Sequence, residues 1–277
     1  MKFLVPGPSG TVPAYAYTGG KPFDPALPCV VFIHGALHDH SVWTLLARWC
    51  AHHGHSALAV DLPGHGRSAG PVLDSVQDLT DWLLALLAAA GVNQAGQATL
   101  VGHSMGALIG LEAAARAPDL VGRLVMIGAA YPMKVSPALL NTAASAPLAA
   151  IDMVNAFSIG TLAAKPGYPG PGMWLHGSNR ALMRRVLAGP NGTGCTVNLF
   201  HHDFSVCDAY AGGLEAAALV RCPVTMVLGT MDQMTPPRAA RDIAAALKAR
   251  IVTLPSGHSL LAEVPDGVLA ALRDALL

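Results

Sequence analysis

The chain has 277 residues, 52% hydrophobic and 12% charged, which suits one large globular domain or a core with an inserted subdomain. Seventeen basic residues balance seventeen acidic ones, so nothing in the charge favours nucleic acid or an anionic membrane. Cys29, Cys50, Cys195, Cys207 and Cys222 are odd in number, scattered and without a CxxC pair, which argues against a disulfide framework and reads as reduced thiols of a cytoplasmic protein.

From the N-terminus, Pro6 and Gly7 interrupt the chain before a signal-peptide hydrophobic region can build up. The longest apolar runs, such as 82–90, are about half the ~20 residues of a membrane span. Short apolar runs at 29–35, 57–64, 98–104 and 123–130 each end at Gly or a polar turn. They lack alternation of apolar and polar positions, as expected of parallel strands covered on both faces. Amphipathic helices separate them. The clearest is 75–90, with Ser75 as N-cap, Asp78 three residues on, an apolar stripe through Leu79, Leu83, Leu86 and Leu87, and Gly91 as the stop.

After Tyr131 the rhythm breaks. Residues 131–215 hold no strong strand but predict one or two helices over 137–158 and further helices near 178–188 and 198–210. Gly- and Pro-rich stretches at 165–174 and 189–194 imply loops. Alternation resumes with a strand at 223–230, a helix near 236–248, a strand at 250–256 and a helix from about 266. The prediction is an α/β fold with a mostly parallel sheet. Its core comprises 1–130 and 216–277, and a helical cap subdomain, 131–215, is inserted after the strand near 124–130.

The stretch Gly102-His103-Ser104-Met105-Gly106 joins a predicted buried strand to a predicted helix. A serine on so tight a turn is pushed out of the sheet, and only glycines tolerate the close backbone approach beside it. The following helix directs its free N–H groups at whatever forms there. A serine hydroxyl needs a base, and the base needs an orienting acid. Asp232 follows the strand 223–230 and His258 follows the strand 250–256, both at the sheet edge where Ser104 lies.

These pieces, with 34–43 and 61–68, resemble the α/β-hydrolase superfamily in order and spacing over nearly the whole chain from residue 28. The resemblance implies Ser104 as nucleophile, Asp232 as acid and His258 as base. It places the oxyanion-binding N–H groups at Met105 and Ala36, with Leu37 the weaker choice for the second. It also makes 131–215 a cap that sets substrate choice. A serine nucleophile disfavours the haloalkane dehalogenase and epoxide hydrolase branches, which attack with Asp. The implied activity is hydrolysis of a small-molecule carboxylic ester through an acyl-enzyme. Alternatives are a carbon–carbon bond hydrolase of ring-cleavage products, a perhydrolase-like enzyme, and a non-catalytic ligand-binding protein of this fold.

Leu37, Met153, Phe157 and Trp174 are candidate substrate-binding residues, with Met173 and Leu175 also apolar candidates of the cap. They suit an apolar acyl or aryl group, although packing of the cap would explain the cap residues equally. Arg180, Arg184 and Arg185 could hold a carboxylate or simply face solvent. Histidines crowd 34–65, but no HExxH and no upstream His-x-His precedes 36–41, so no metal and no cofactor is expected. His34 is expected to brace the oxyanion loop, His103 to pack the turn and Asp61 to be structural. Asp203 and Asp208 are expected on a solvated helix face, with a cap hinge as the other reading. The expected partner is a small molecule, with no nucleic acid and no membrane, and a homodimer is left open.

Overall fold

A computed structural model describes residues 1–7, 10–160, 175–189 and 197–277. Its centre is an eight-stranded sheet: β1 (Lys2–Gly7), β2 (Gly10–Tyr17), β3 (Cys29–Ile33), β4 (Ser56–Val60), β5 (Ala98–His103), β6 (Val121–Ile127), β7 (Val224–Gly229) and β8 (Arg250–Leu254). The order is β1-β2-β4-β3-β5-β6-β7-β8. β1 and β2 pair antiparallel, as do β2 and β4, and every other pairing is parallel.

Unpatterned apolar strands follow from two helical layers. Val31, Ile33, Leu58, Val60, Leu100 and Met126 face one side, together with α2 (Val76–Ala89) and α3 (Met105–Arg116). Val30, Phe32, Ala57, Ala59, Val101, Val125 and Val227 face the other, against α1 (Thr44–Ala51) and α11 (Pro265–Leu276). With both faces covered, neither can be polar. The cap of α2 forms as its sequence requires: the Ser75 hydroxyl accepts from the Asp78 amide at 3.0 Å.

Between β6 and β7 run α4 (Pro137–Ser145), α5 (Pro147–Ser158), α6 (Leu175–Leu187), α7 (Leu199–Ala209) and α8 (Gly213–Leu219), the last packed on α3. The helix expected over 137–158 is two helices. Pro147 lacks an N–H and pushes Ala146 out of helical geometry (φ −145°, ψ 67°), so the chain turns there. The helix expected near 236–248 begins as a 3-10 turn, Pro237–Ala240, and continues as α9 (Arg241–Ala246). A short α10 (Leu260–Glu263) precedes α11. Cys29, Cys50, Cys207 and Cys222 are free thiols, and Cys195 lies outside the described residues. Among the described residues, no helix is long and apolar enough to cross a membrane.

Candidate active site

Ser104 ends β5 and caps α3 with φ 52° and ψ −119°, a backbone conformation that costs an L-residue of order 1–3 kcal/mol. Its surroundings hold the strain in place. The Ser104 amide donates to Ile127 O at 2.9 Å, and its carbonyl accepts from the Ala107 amide at 2.9 Å. A Cβ on Gly102 would come 2.2 Å from Gly106 O, and one on Gly106 would come 2.2 Å from Ile33 O. Both glycines are therefore required by backbone contact, and the serine between them is forced to the surface of the turn.

His258 follows β8 and Asp232 follows β7. His258 Nδ1 lies 2.8 Å from Asp232 Oδ2. Thr235 completes the arrangement: its amide and that of Met234 each donate to Asp232 Oδ1 at 2.8 Å, and its hydroxyl lies 2.8 Å from Oδ2, 2.9 Å from Gly128 O and 3.1 Å from His258 Nδ1. Burial alone would raise the Asp232 pKa, but the attraction of His258 and the hydrogen bonds from His258 and Thr235 outweigh it and hold the value at about 2. Asp232 is thus a carboxylate facing Nδ1, which puts the ring proton on Nδ1 and leaves the Nε2 lone pair free to act as a base.

His103, the neighbour of Ser104, donates from Nε2 to the His258 carbonyl at 3.0 Å. Burial and the proximity of His258 push its pKa down to about 3, so it is a neutral support for the His258 loop rather than a base. Glu263 accepts from the amides of Gly160 and Gly257, both at 3.0 Å, and steadies the same loop.

Ser104, His258 and Ala36 line one cavity of about 270 Å³, together with Met133, Lys134, Val135, Ser136, Leu139, Met153, Phe157, Phe204, Cys207, Gln233, Met234 and Thr235. Met153 and Phe157 stand on the wall of the cavity that Ser104 lines. Leu37 does not: its side chain is fully buried in the core because its backbone turns inward at φ 53°, so its assignment to substrate binding is corrected. Its amide donates to Asp203 Oδ2 at 2.8 Å and is not free for an oxyanion either. Trp174 and Met173 lie outside the described residues. Met105 opens α3, where its amide has no partner four residues earlier, while its side chain packs in the core.

Asp203 does not lie on a solvated helix face either. It is 2% exposed rather than solvated, because it shares the inward face of α7 with Leu199, Phe204 and Cys207. It pairs with His65 Nε2 at 2.8 Å. That spacing, three or four residues from apolar neighbours on both sides, was the available signal. Asp208 accepts from the Val135 amide at 2.9 Å, tying the end of α7 to the segment before α4.

Arg180 is paired with Asp152 and Arg185 with Asp39, and neither lines the Ser104 cavity. Among the described residues, Asp39, His40 and Asp61 are close enough to share a cation. Their donor atoms are already engaged: Asp61 accepts from the amides of His40 and Arg67 and pairs with the His40 ring, while Asp39 takes Arg185 and Ser41. Asp61 has the structural role expected of it.

The alpha/beta hydrolase family model matches residues 30–271. The chain belongs to the alpha/beta hydrolase family. Among curated relatives, it is 32% identical over 103 residues to the (E)-2-((N-methylformamido)methylene)succinate hydrolase of Acinetobacter baylyi, covering 37% of this chain and 38% of that protein. It is 38% identical over 107 residues to an esterase of Mycobacterium tuberculosis, covering 36% and 32%. The chain thus spans about a third of the length of these relatives. The enol-lactonase from Burkholderia xenovorans LB400 superposes with a TM-score of 0.79 at 22% identity, covering 96% of each chain, a likeness of fold.

Proposed function

We propose that this hydrolase-family protein cleaves a small-molecule carboxylic ester through an acyl-enzyme on Ser104. The observation that carries the reading is the juxtaposition of a strained serine and a carboxylate-bound histidine, His258, on one apolar cavity. His258 Nε2 takes the Ser104 proton as Oγ attacks the substrate carbonyl, while Asp232 stabilises the imidazolium. The Met105 and Ala36 amides receive the oxyanion. His258 then protonates the leaving alkoxide and later activates the water that releases the acid.

Helices α4, α5 and α7 supply Leu139, Met153, Phe157 and Phe204 to the wall, which suits an apolar acyl or aryl group, and in this reading the inserted segment is the cap. The partial match to an esterase supports the ester reading. Activity is tested on a panel of p-nitrophenyl esters, thioesters and vinylogous diketones. Turnover of esters that falls by about 10³-fold or more in folded Ser104→Ala supports the proposal, and unchanged turnover refutes it. Diketone cleavage without ester cleavage would favour carbon–carbon hydrolysis.

A further inference from the structure

The backbone donor at Ala36 belongs to a loop that could point in several directions, and its neighbours decide where it points. The Gly35–Ala36 peptide is trans, so its C=O and N–H are antiparallel. Gly35 O accepts from His34 Nδ1 at 2.9 Å and from the His38 amide at 3.3 Å, which turns the Ala36 N–H the opposite way. The next peptide is held at both ends: His38 Nδ1 lies 2.8 Å from Ala36 O, and Asp203 Oδ2 accepts the Leu37 amide at 2.8 Å. Leu37 sits at φ 53°, a conformation that relaxes unless something over-determines it.

Asp203 comes from α7, far from this loop in sequence; its Oδ2 also meets His65 in the turn after β4, and its Oδ1 lies 3.3 Å from Nδ1 of the neighbouring His202. The pair is buried on both sides. His65 Nδ1 lies 3.0 Å from Pro63 O and Nε2 2.8 Å from Asp203, so both ring nitrogens face acceptors and both carry protons. Burial opposes that charge, yet Asp203 raises the His65 pKa overall, and His65 in turn lowers that of Asp203. The His65 ring lies 5.0 Å from that of His34, whose Nε2 accepts from the Leu62 amide at 3.1 Å. His34 is therefore neutral, with its single proton on Nδ1 and directed at Gly35 O; burial and the His65 charge lower its pKa to about 4.

We propose that Asp203 and His65 are positioning residues that set the oxyanion-binding geometry of Ala36 and link it to the seating of α7, the helix that also presents Phe204 and Cys207 to the cavity. The inference rests on the ester-hydrolase reading of the same site. Asp203 holds the Leu37 peptide in its left-handed conformation, and its charge is retained in the interior by the protonated His65 on Oδ2, with His202 on Oδ1. Withdrawal of α7 would remove an acyl-pocket wall and release the oxyanion loop together.

The test compares Asp203→Asn and His65→Gln with the intact protein, using kcat and KM on a p-nitrophenyl ester and the inhibition constant of a trifluoromethyl ketone bearing the same acyl group. Both variants should lower kcat at least about tenfold while KM stays within about threefold. The inhibition constant should rise in step with the fall in kcat/KM, because the hemiketal oxygen needs the same donors. A role in stability alone would lower the melting temperature and leave kcat and ketone affinity of the folded fraction intact, which overturns the proposal. If neither variant folds, 15N NMR of the unaltered protein decides: a doubly protonated His65 ring at pH 7 is expected, and a neutral ring overturns the pairing. An unaltered protein that neither hydrolyses esters nor binds the ketone counts against the hydrolase reading instead, a result distinct from an active enzyme with indifferent variants.

Discussion

The Thr235 hydroxyl lies 2.8 Å from Asp232 Oδ2, and the Thr235 amide donates to Oδ1 of the same carboxylate at 2.8 Å. One residue therefore fixes both oxygens of the acid that faces His258. Thr235→Val keeps the amide bond and the side-chain shape but removes the hydroxyl. It should lower kcat on an ester about tenfold, with little change in KM, because a looser carboxylate orients His258 less well. Steady-state kinetics checks this, and an unchanged kcat would show that the hydroxyl is dispensable.

The charge on Asp232 makes stability depend on pH in a defined direction. Its carboxyl is depressed from 3.8 to about 2 by His258 and Thr235, against the opposing effect of burial. A depressed acid contributes stability above its unfolded pKa and loses it as pH falls through the folded value. The gap corresponds to roughly 2 kcal/mol. Urea titrations should show the stability advantage over Asp232→Asn shrinking between about pH 4 and pH 2. An advantage that stays constant across that window would contradict the pairing.

Strain at Ser104 predicts a divergence between two inactive variants. Ser104→Gly relieves the φ 52° conformation, whereas Ser104→Ala keeps a Cβ in it. Both should lose ester turnover, but the glycine variant should be more stable than the alanine variant by about 1 kcal/mol, the reverse of the usual order. Denaturant midpoints measured side by side check this.

Met153 stands on α5 against the cavity that holds Ser104. Met153→Ala deepens that cavity and should shift the preference from acetyl toward hexanoyl esters by about three- to tenfold in the ratio of kcat/KM values. A uniform loss across chain lengths would instead mean that Met153 only packs the helix.

Much of this arrangement is legible in the sequence. The central parallel strands announce themselves because helices cover both faces, and Ser104, Asp232 and His258 each follow a strand at the same sheet edge. The β1–β2 hairpin leaves little trace in the sequence. On β2 the inward positions are the small Ala14 and Ala16 beside Pro13, and on β1 the inward Phe3 and Val5 flank an equally apolar but exposed Leu4, so neither strand shows a clear alternation. The burial of Asp203 runs against the sequence expectation, since a carboxylate in a helix usually marks the wet face. The apolar spacing of α7 places it inward, but the partners that make its burial tolerable, His65 and the Leu37 amide, lie 138 and 166 residues away in sequence. Leu37 is hidden for a related reason: a left-handed backbone at a non-glycine residue has no sequence signature, yet it decides which way the side chain points.

Reaction with a fluorophosphonate, read by intact-protein mass spectrometry and peptide mapping, tests Ser104 as the nucleophile. One adduct on the peptide bearing Ser104, absent from Ser104→Ala and strongly slowed in His258→Ala, is the expected result. Labelling elsewhere with Ser104 untouched, in a protein that still hydrolyses esters, would contradict a Ser104 nucleophile.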